Sequence, residues 1–221
     1  MVTGGRSGLG AAAVATLEEA GAGAVVADLP ECDVTDEAAV EHLVAQSHKV
    51  DGVICCAGIG GSARLLDFEA EQFRRIVDVN LVGTFLAVKH AARRMAENEP
   101  DAEGGRGVVV MTASNAAFDG QIGQIAYSAS KGGVVGMTLP LARDLARHGI
   151  RVVTIAPGPH DTPMLSRLRD DIRASLEAQV PFPKRLGRAE DFAALVRHVI
   201  ENDYLNGEVI RLDGALRMGP R

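Results

Sequence analysis

The sequence predicts an α/β fold in which helices cover both faces of a doubly wound parallel sheet. Apolar stretches of strand length alternate along the chain with longer stretches of helical periodicity, a pattern typical of parallel sheets. The chain has 221 residues, of which 47% are hydrophobic, and this is enough for one large domain with a substantial core. No repeat, linker or low-complexity segment interrupts it. We therefore expect a single domain that spans residues 1–221.

The composition narrows the classes of function. The formal net charge of −6 is unfavourable for a nucleic-acid-binding protein, which needs a basic surface. The cysteines Cys32, Cys55 and Cys56 do not form a disulfide framework, and no His or Cys residues have the spacing of a zinc site, so we expect no metal. The sequence shows neither a signal peptide nor an apolar run long enough to cross a bilayer. We expect a cytoplasmic protein with no membrane partner.

The N-terminal stretch has the pattern of a phosphate-binding turn. A short strand at Met1–Thr3 leads into Gly4-Gly5-Arg6-Ser7-Gly8-Leu9-Gly10, and an Ala-rich helix follows over Ala11–Ala20. The glycines allow a tight turn whose backbone N–H groups can approach a pyrophosphate at the positive N-terminus of the helix. This pattern is typical of Rossmann-like sheets, although a plain Gly-rich turn has the same composition. We place a cofactor half at about residues 1–110.

Asp28 is the candidate residue for recognition of the cofactor ribose. It ends a second predicted strand, Ala24–Ala27, roughly 20 residues after the glycines, which is the usual place for this carboxylate. A carboxylate here accepts hydrogen bonds from ribose hydroxyls and repels a 2′-phosphate, which favours NAD over NADP. Two alternatives remain open, namely that Asp28 is an ordinary turn residue and that Arg6 binds a 2′-phosphate.

The connection after Asp28 is too short for a complete βαβ unit. Asp33–Glu37 follows almost at once, and Thr35 has the pattern of an N-cap for a helix that ends near Gln46. A complete unit would need a further helix and strand in this interval. We expect the third strand of the sheet and its helix to be reduced or missing.

The rest of the chain continues the alternation and forms a catalytic and substrate half at about residues 111–221. A buried strand begins at Gly52 and breaks into a Gly-rich loop. The predicted elements after it are helix Phe68–Glu97, strand Gly107–Thr112, helix Gln124–His148, strand Ile150–Ala156, helix Arg188–Asn202 and strand Glu208–Leu212. Residues of about 159–180 include the amphipathic segment Arg167–Val180, which we interpret as a lid.

Tyr127 and Lys131 form the candidate catalytic pair. They lie four residues apart in the predicted helix Gln124–His148, so their side chains leave the same helix face. A nearby ammonium group favours the phenolate and lowers the pKa of the tyrosine, which can then exchange a proton with a substrate oxygen. Taken alone, this spacing also occurs on solvated helix faces. Ser114 lies just past the C-terminal end of a predicted strand, at the place where open parallel sheets bind ligands.

Together these motifs resemble the short-chain dehydrogenases/reductases over nearly the whole chain. The stretch Thr3-Gly4-x-x-x-Gly8-x-Gly10 is similar to the cofactor motif of that family. The residues that fall on its catalytic tetrad are Asn80, Ser114, Tyr127 and Lys131, with the family's spacing of 13 residues between serine and tyrosine. Outside this context, Asn80 would read as a solvated helix residue.

A closer likeness connects the chain with the type II 3-hydroxyacyl-CoA dehydrogenases, a branch of that family. It depends on the stretches Asn98–Asp101, Tyr127–Pro140, Gln179–Pro183 and Asn206–Met218. The likeness implies NAD-dependent interconversion of 3-hydroxyacyl-CoA and 3-oxoacyl-CoA in fatty acid metabolism by a homotetramer. Two alternatives stay open. One is the same chemistry on a hydroxysteroid, another secondary alcohol or an acyl-carrier substrate, and the other is a non-catalytic dinucleotide-binding protein.

The resemblance also implies a role for each site residue. Tyr127 is the general acid or base, Lys131 lowers its pKa and holds the nicotinamide ribose, Ser114 donates to the substrate oxygen, and Asn80 positions a backbone kink and a water. Ser114 and Tyr127 are the substrate contacts. The implied NAD contacts at the adenosine end are Gly4, Ser7 and Leu9 at the pyrophosphate, Asp28 at the ribose, Asp33 and Val34 at the adenine, and Cys56, Ala57 and Gly58 along the adenosine. Those at the nicotinamide end are His160 and Thr162, the preceding residues Pro157 and Gly158, and the catalytic residues Tyr127 and Lys131.

The sequence departs from the family pattern at two places in this set. Cys55-Cys56-Ala57-Gly58 replaces the common Asn-Asn-Ala-Gly, and His160 stands where the branch usually has an apolar or aromatic residue. The departures that concern cofactor affinity are the short first strand and the reduced unit after Asp28, whereas His160 concerns the substrate.

Overall fold

The computed structural model describes residues 1–166 and 169–220, which form an α/β sandwich of three layers. Its strands are β1 (Val2–Thr3), β2 (Val26–Ala27), β3 (Gly52–Cys55), β4 (Gly107–Thr112), β5 (Ile150–Pro157) and β6 (Val209–Leu212). Its helices are α1 (Gly8–Glu19), α2 (Glu37–Gln46), α3 (Ala70–Val77), α4 (Gly83–Met95), α5 (Ile125–Ala146), α6 (Asp170–Gln179) and α7 (Ala189–Glu201).

The strands form one parallel sheet in the order β2-β1-β3-β4-β5-β6. The chain moves outward from β1 to β2 and then returns to place β3 on the other side of β1. Such a reversal of strand order opens a crevice at the carboxyl ends of the strands, because the following loops diverge to opposite faces of the sheet. The predicted doubly wound parallel sheet is confirmed.

Alternating side chains of β4 divide the core into two layers. Val109 and Met111 are fully buried against α4 and α5 on one face of the sheet. Val108 and Val110 point to the other face, where they pack with Phe192 of α7. Because both faces are covered by helices, the central strand β4 is apolar on both of its sides, as the sequence pattern required.

The prediction that the third strand and its helix are reduced or missing is also confirmed. Within the described residues 28–36, which connect β2 to α2, there is neither a helix nor a strand. As a result, β2 is an edge strand of two residues, and its pairing with β1 is limited to Val2 with Val26 and Thr3 with Ala27.

Two predicted details of the helices differ from the structure. Thr35 is not the N-cap of α2, because Asp36 is, and its carboxylate accepts from the N–H groups of Ala38 and Ala39. Thr35 instead donates its hydroxyl to Asp33 at 2.8 Å. The predicted helix Phe68–Glu97 is divided into α3 and α4 by a wider π-helical turn at Asp78–Val82.

None of the helices in these two described ranges combines the length and the hydrophobicity that a bilayer-spanning helix requires. The predicted lid contains α6, whose residues all remain accessible to solvent. The part of that prediction that falls on Arg167 and Leu168 lies outside the described residues.

Candidate active site

A cleft of about 1660 Å³ lies at the carboxyl edge of the sheet. The loops after β1, β2, β3, β4 and β5 all reach it, because parallel strands end at the same edge. The predicted site residues that line the cleft are Gly4, Ser7, Leu9, Asp28, Asp33, Val34, Cys56, Ala57, Gly58, Ser114, Tyr127, Lys131, Pro157, Gly158, His160 and Thr162. The structure therefore brings together residues from distant parts of the chain, and Asn80 is the member of the predicted set that is not in this wall.

The Gly-rich turn packs directly against the end of β3. Gly4 has φ +65°, and a Cβ built on it would lie 2.7 Å from the backbone nitrogen of Ala57. Only glycine is compatible with both the left-handed backbone and this approach. Thr3 strengthens the contact, since its hydroxyl accepts from the same Ala57 N–H at 3.2 Å.

The N-terminus of α1 opens into the cleft with donors available. Ser7 is the N-cap in an extended conformation, and its hydroxyl makes no capping hydrogen bond to the first turn. The first N–H groups of the helix therefore retain their capacity to bind an anion, which the helix dipole also favours. This donor set fits the pyrophosphate of a dinucleotide.

Asp28 lies beside this turn with both carboxylate oxygens fixed. One oxygen accepts from the Arg6 N–H at 2.9 Å and the other from the Leu29 N–H at 2.8 Å. Each carboxylate oxygen has a further lone pair, so the group can still accept from a ribose hydroxyl. The cleft thus offers a carboxylate acceptor that fits the hydroxyls of an adenosine ribose, beside the N–H donors that fit a pyrophosphate.

Ser114 and Tyr127 face each other across the cleft wall. The Ser114 hydroxyl donates to Oδ1 of Asn115 at 3.2 Å and accepts from the Ala116 N–H at 3.1 Å, which fixes its orientation. Burial raises the pKa of the Tyr127 phenol above its ordinary value, and the neighbouring Ser114 hydroxyl opposes that rise. A hydroxyl and a phenol that are within hydrogen-bonding reach of each other can share one substrate oxygen.

Lys131 reaches the same corner from the next turn of α5. It is 4% exposed, its Nζ donates to the Thr112 carbonyl at 2.8 Å, and it lies 5.9 Å from the centre of the Tyr127 ring. Burial lowers the pKa of Lys131 to about 8, with Cys56 and Cys55 opposing the shift. The charged ammonium is therefore destabilised by its burial, although the fold holds it at this position.

The predicted lowering of the Tyr127 pKa by Lys131 is not what the structure shows. The dominant effect on the phenol is loss of hydration, which disfavours the phenolate. The Lys131 ammonium is directed at the Thr112 carbonyl, and Ser114 is the group that favours the phenolate. A spacing of four residues placed the two groups on one face but did not define where the ammonium points.

Asn80 has a structural position behind the cleft wall. It lies fully buried in the π-helical turn, where its amide accepts from the Ile59 N–H at 2.8 Å and donates to the Ile59 carbonyl at 3.0 Å and to the Ser130 hydroxyl at 3.1 Å. The side chain thus ties the loop after β3 to α5. Its backbone carbonyl accepts from the Thr84 hydroxyl at 2.8 Å.

His160 lies in the loop after β5 and is buried against Gly187. Its Nδ1 bonds to the Gly158 carbonyl at 2.9 Å, and its Nε2 is buried without a hydrogen-bond partner among the described residues. Burial lowers the pKa of His160, with the Gly158 carbonyl and Asp191 opposing and Arg185 reinforcing the shift. The imidazole is therefore neutral at neutral pH.

Replacing His160 with phenylalanine should reduce the loss of stability in acid. The unfolded chain takes up a proton on this histidine near pH 6.5, whereas the folded protein resists until lower pH, so wild-type stability falls as the pH drops below 6.5. Urea unfolding at pH 7.5 and pH 5.5 measures the effect. The control is His42→Phe, at an exposed position, which should keep the pH dependence of wild type. If wild type and His160→Phe lose the same stability between pH 7.5 and pH 5.5, burial does not lower the pKa of His160.

Several residues of the cleft were not identified from the sequence. Asn115 fixes Ser114 and leaves its own Nδ2 buried without a partner among the described residues. Thr112 acts through a backbone carbonyl, which a sequence pattern does not reveal. Further lining residues that the sequence did not single out include Ile172 and Leu176 of α6 and Met218 near the C-terminus. The amphipathic pattern of 167–180 was the available signal for α6.

The fold and this cleft agree with comparisons to known proteins. A family model described as "Enoyl-(Acyl carrier protein) reductase" matches residues 4–216. The chain belongs to the short-chain dehydrogenase/reductase family. As a member of this family it is an oxidoreductase that acts on CH–OH groups, and the family implies a nicotinamide dinucleotide as cofactor.

The relatives in this family match along the full chain. The "3-hydroxyacyl-CoA dehydrogenase type-2" proteins of Bos taurus and Homo sapiens are each 48% identical, with 100% of this chain and 95% of the relative covered. The crystal structure of 3-hydroxyacyl-CoA dehydrogenase type-2 from Mycobacterium avium superposes with a TM-score of 0.94 at 37% identity, covering 100% of this chain and 96% of that one. The bovine alignment runs over 248 positions against 221 residues here, so the relative has residues with no counterpart in this chain.

Proposed function

We propose that this protein is an NAD-dependent dehydrogenase that interconverts 3-hydroxyacyl-CoA and 3-oxoacyl-CoA. The observation that carries the proposal is the convergence of Ser114, Tyr127 and Lys131 in one cleft beside a dinucleotide-binding turn. The similarity to the mammalian type-2 enzymes supports the choice of substrate.

The proposed chemistry divides between the cofactor and the chain. A bound nicotinamide supplies the hydride acceptor or donor. Tyr127 gives a proton to the carbonyl oxygen during reduction and takes one from the alcohol during oxidation, while the Ser114 hydroxyl turns its proton from Asn115 to the oxygen as charge develops on it. Because burial raises the pKa of Tyr127, the phenol keeps its proton at neutral pH, which suits reduction.

The cofactor contacts are proposed in the order of the cleft. The turn at Gly4, Ser7 and Leu9 holds the pyrophosphate, and Asp28 holds the adenosine ribose. The other proposed contacts are Asp33, Val34, Cys56, Ala57 and Gly58 along the adenosine and Pro157, Gly158, His160 and Thr162 at the nicotinamide, with Lys131 on its ribose. Asn80 acts in this proposal as a positioning residue for the loop after β3, since its amide is fully engaged there.

Asp28→Ala should narrow the preference for NAD⁺ over NADP⁺. The substitution removes an acceptor for the ribose hydroxyls and a charge that repels a 2′-phosphate, and a hydrogen bond to a charged group contributes about 1.5–3 kcal/mol, or roughly tenfold or more in affinity. The ratio of dissociation constants for the two cofactors measures this. An unchanged ratio would assign the preference to another group.

The lid and the division of the domain are part of the same proposal. Residues of about 159–180 close over the substrate, with Ile172 and Leu176 of α6 turned to the cleft. The ion pair of Arg173 with Asp161, at 2.7 Å, links α6 to the loop after β5. Residues 1–110 then provide most of the cofactor contacts, and residues 111–221 provide the catalytic groups.

We also propose a homotetramer in a reducing compartment such as the cytoplasm. Phe85 of α4 and Leu139 of α5 are 42% and 44% exposed, and apolar side chains on these helices suit an interface between subunits. The free thiols of Cys32, Cys55 and Cys56 fit a reducing environment. Sedimentation equilibrium tests the assembly, and a monomeric mass would contradict it.

A screen of NADH absorbance tests the substrate. Short, medium and long 3-oxoacyl-CoA compounds are compared with ketosteroids and 3-oxoacyl carrier proteins by kcat/KM. The highest value with an acyl-CoA is expected. His160 in the substrate loop motivates the alternative of a hydroxysteroid or another secondary alcohol, and a higher kcat/KM for those compounds would select it. Absence of turnover with every compound would support the alternative that the protein binds a dinucleotide and is not catalytic.

A further inference from the structure

The shortened connection after β2 carries a carboxylate onto the phosphate-binding turn. Glu31 forms an ion pair with Arg6, with 2.5 Å between its Oε2 and the guanidinium NH2. The other terminal nitrogen of Arg6 donates to the Leu29 carbonyl at 2.7 Å. Arg6 is therefore held at two points, both within three residues of Asp28.

This arrangement lies at the place where a 2′-phosphate would arrive. The Arg6 N–H donates to the Asp28 carboxylate, and Asp28 and Leu29 both line the cleft. A cation next to the adenosine ribose would normally attract a 2′-phosphate. Here the Arg6 charge is balanced by Glu31, and the local sum of Arg6, Glu31 and Asp28 is negative.

We propose that Glu31 is a determinant of cofactor specificity, which holds and neutralises Arg6 so that the turn rejects a 2′-phosphorylated adenosine. This inference rests on the proposed dinucleotide site. It assigns part of the selectivity for NAD over NADP to Glu31, in addition to the ribose carboxylate of Asp28. Glu31 can act this way because the missing helix and strand bring the chain from Asp28 to α2 within nine residues, 28–36.

Removal of the pair should leave the fold intact. The side chains of Arg6 and Glu31 are 50% and 60% exposed, and exposed ion pairs contribute little to stability because water screens them. A change in ligand binding can therefore be separated from a change in folding.

The experiment measures dissociation constants by isothermal titration calorimetry for two probes, adenosine 2′,5′-bisphosphate and adenosine 5′-monophosphate. Glu31→Gln should bind the bisphosphate at least about tenfold more tightly, since a guanidinium no longer neutralised by a carboxylate can make charge-assisted hydrogen bonds to the 2′-phosphate. Its affinity for the monophosphate should remain that of wild type. The double variant Glu31→Gln/Arg6→Gln should lose the gain, and Glu99→Gln, an exposed loop residue after α4, should leave both constants unchanged.

Three results would overturn the inference. A gain that persists in the double variant would mean that Glu31 acts through its own charge and not through Arg6. Monophosphate binding with no gain for the bisphosphate in Glu31→Gln would refute the inference alone. A wild-type protein that binds neither probe would refute it together with the proposed dinucleotide site.

Discussion

Tyr127→Phe is expected to lower kcat by about 10²–10⁴-fold, the usual contribution of a positioned general acid or base. The substitution removes a single oxygen, which in the proposed reaction carries the proton to or from the substrate. The ring is retained, so the packing of α5 against the cleft should be preserved. The measurement is kcat with a 3-oxoacyl-CoA at saturating NADH, together with the dissociation constant of adenosine 5′-monophosphate, which should not change.

The chain provides a matched control for this prediction. Its second tyrosine, Tyr204, is fully exposed before β6, and Tyr204→Phe makes the same chemical change outside the cleft. Tyr204→Phe should retain wild-type kcat. A Tyr127→Phe enzyme that keeps wild-type activity would refute the catalytic role of the phenol.

The fold was predictable because its pattern is local and repeated. The apolar run of β5 and the long periodic segment of α5 each predicted an element whose observed ends lie within two residues. The missing unit after Asp28 was predictable from length alone, since the residues before α2 cannot form a helix and a strand. The π-helical turn at Asp78–Val82 was not predicted, and the side chain of Asn80 within it bonds to Ile59 and Ser130, which are brought near only in the folded chain.

The candidate site was predictable where strand ends define it. Ser114 and Asp28 follow β4 and β2, and parallel strands bring such positions to one edge. The partners of these residues were not predictable. Glu31 reaches Arg6 only because of the path that a short loop takes. Asn115 orients Ser114 through a side-chain hydrogen bond, and adjacency in the sequence does not by itself imply such a bond.

Electrostatics was the part of the site where sequence reasoning was least complete. Spacing predicted that Lys131 would act on Tyr127, but burial affects both groups more strongly than they affect each other. Desolvation depends on the atoms that surround a group, and these come from β3, β4 and α5 together. The pKa values of the pair are therefore properties of the folded cleft and not of the helix that carries both residues.

Lys131→Met is expected to abolish most turnover and to change how stability depends on pH. Burial lowers the pKa of Lys131 from an ordinary value of 10.5 to about 8, so the folded protein carries an unfavourable ammonium below pH 8. This difference in pKa means that the buried ammonium lowers the stability of wild type by about 3 kcal/mol at neutral pH. Between pH 8 and pH 10.5 the unfolded chain holds more protons on this group than the folded protein does, so this cost disappears as the pH rises.

The stability of wild type relative to Lys131→Met should therefore increase by about 3 kcal/mol between pH 7 and pH 10.5. Loss of the bond to the Thr112 carbonyl shifts the variant by a similar amount at every pH and does not affect this slope. Urea unfolding of both proteins across this range gives the difference at each pH, so that groups common to both cancel. Lys184→Met, at an exposed loop position, should show no such change. A pH-independent difference for Lys131→Met would mean that the ammonium is hydrated in the folded protein, and Lys131 would then lie outside the closed corner that the proposed reaction requires.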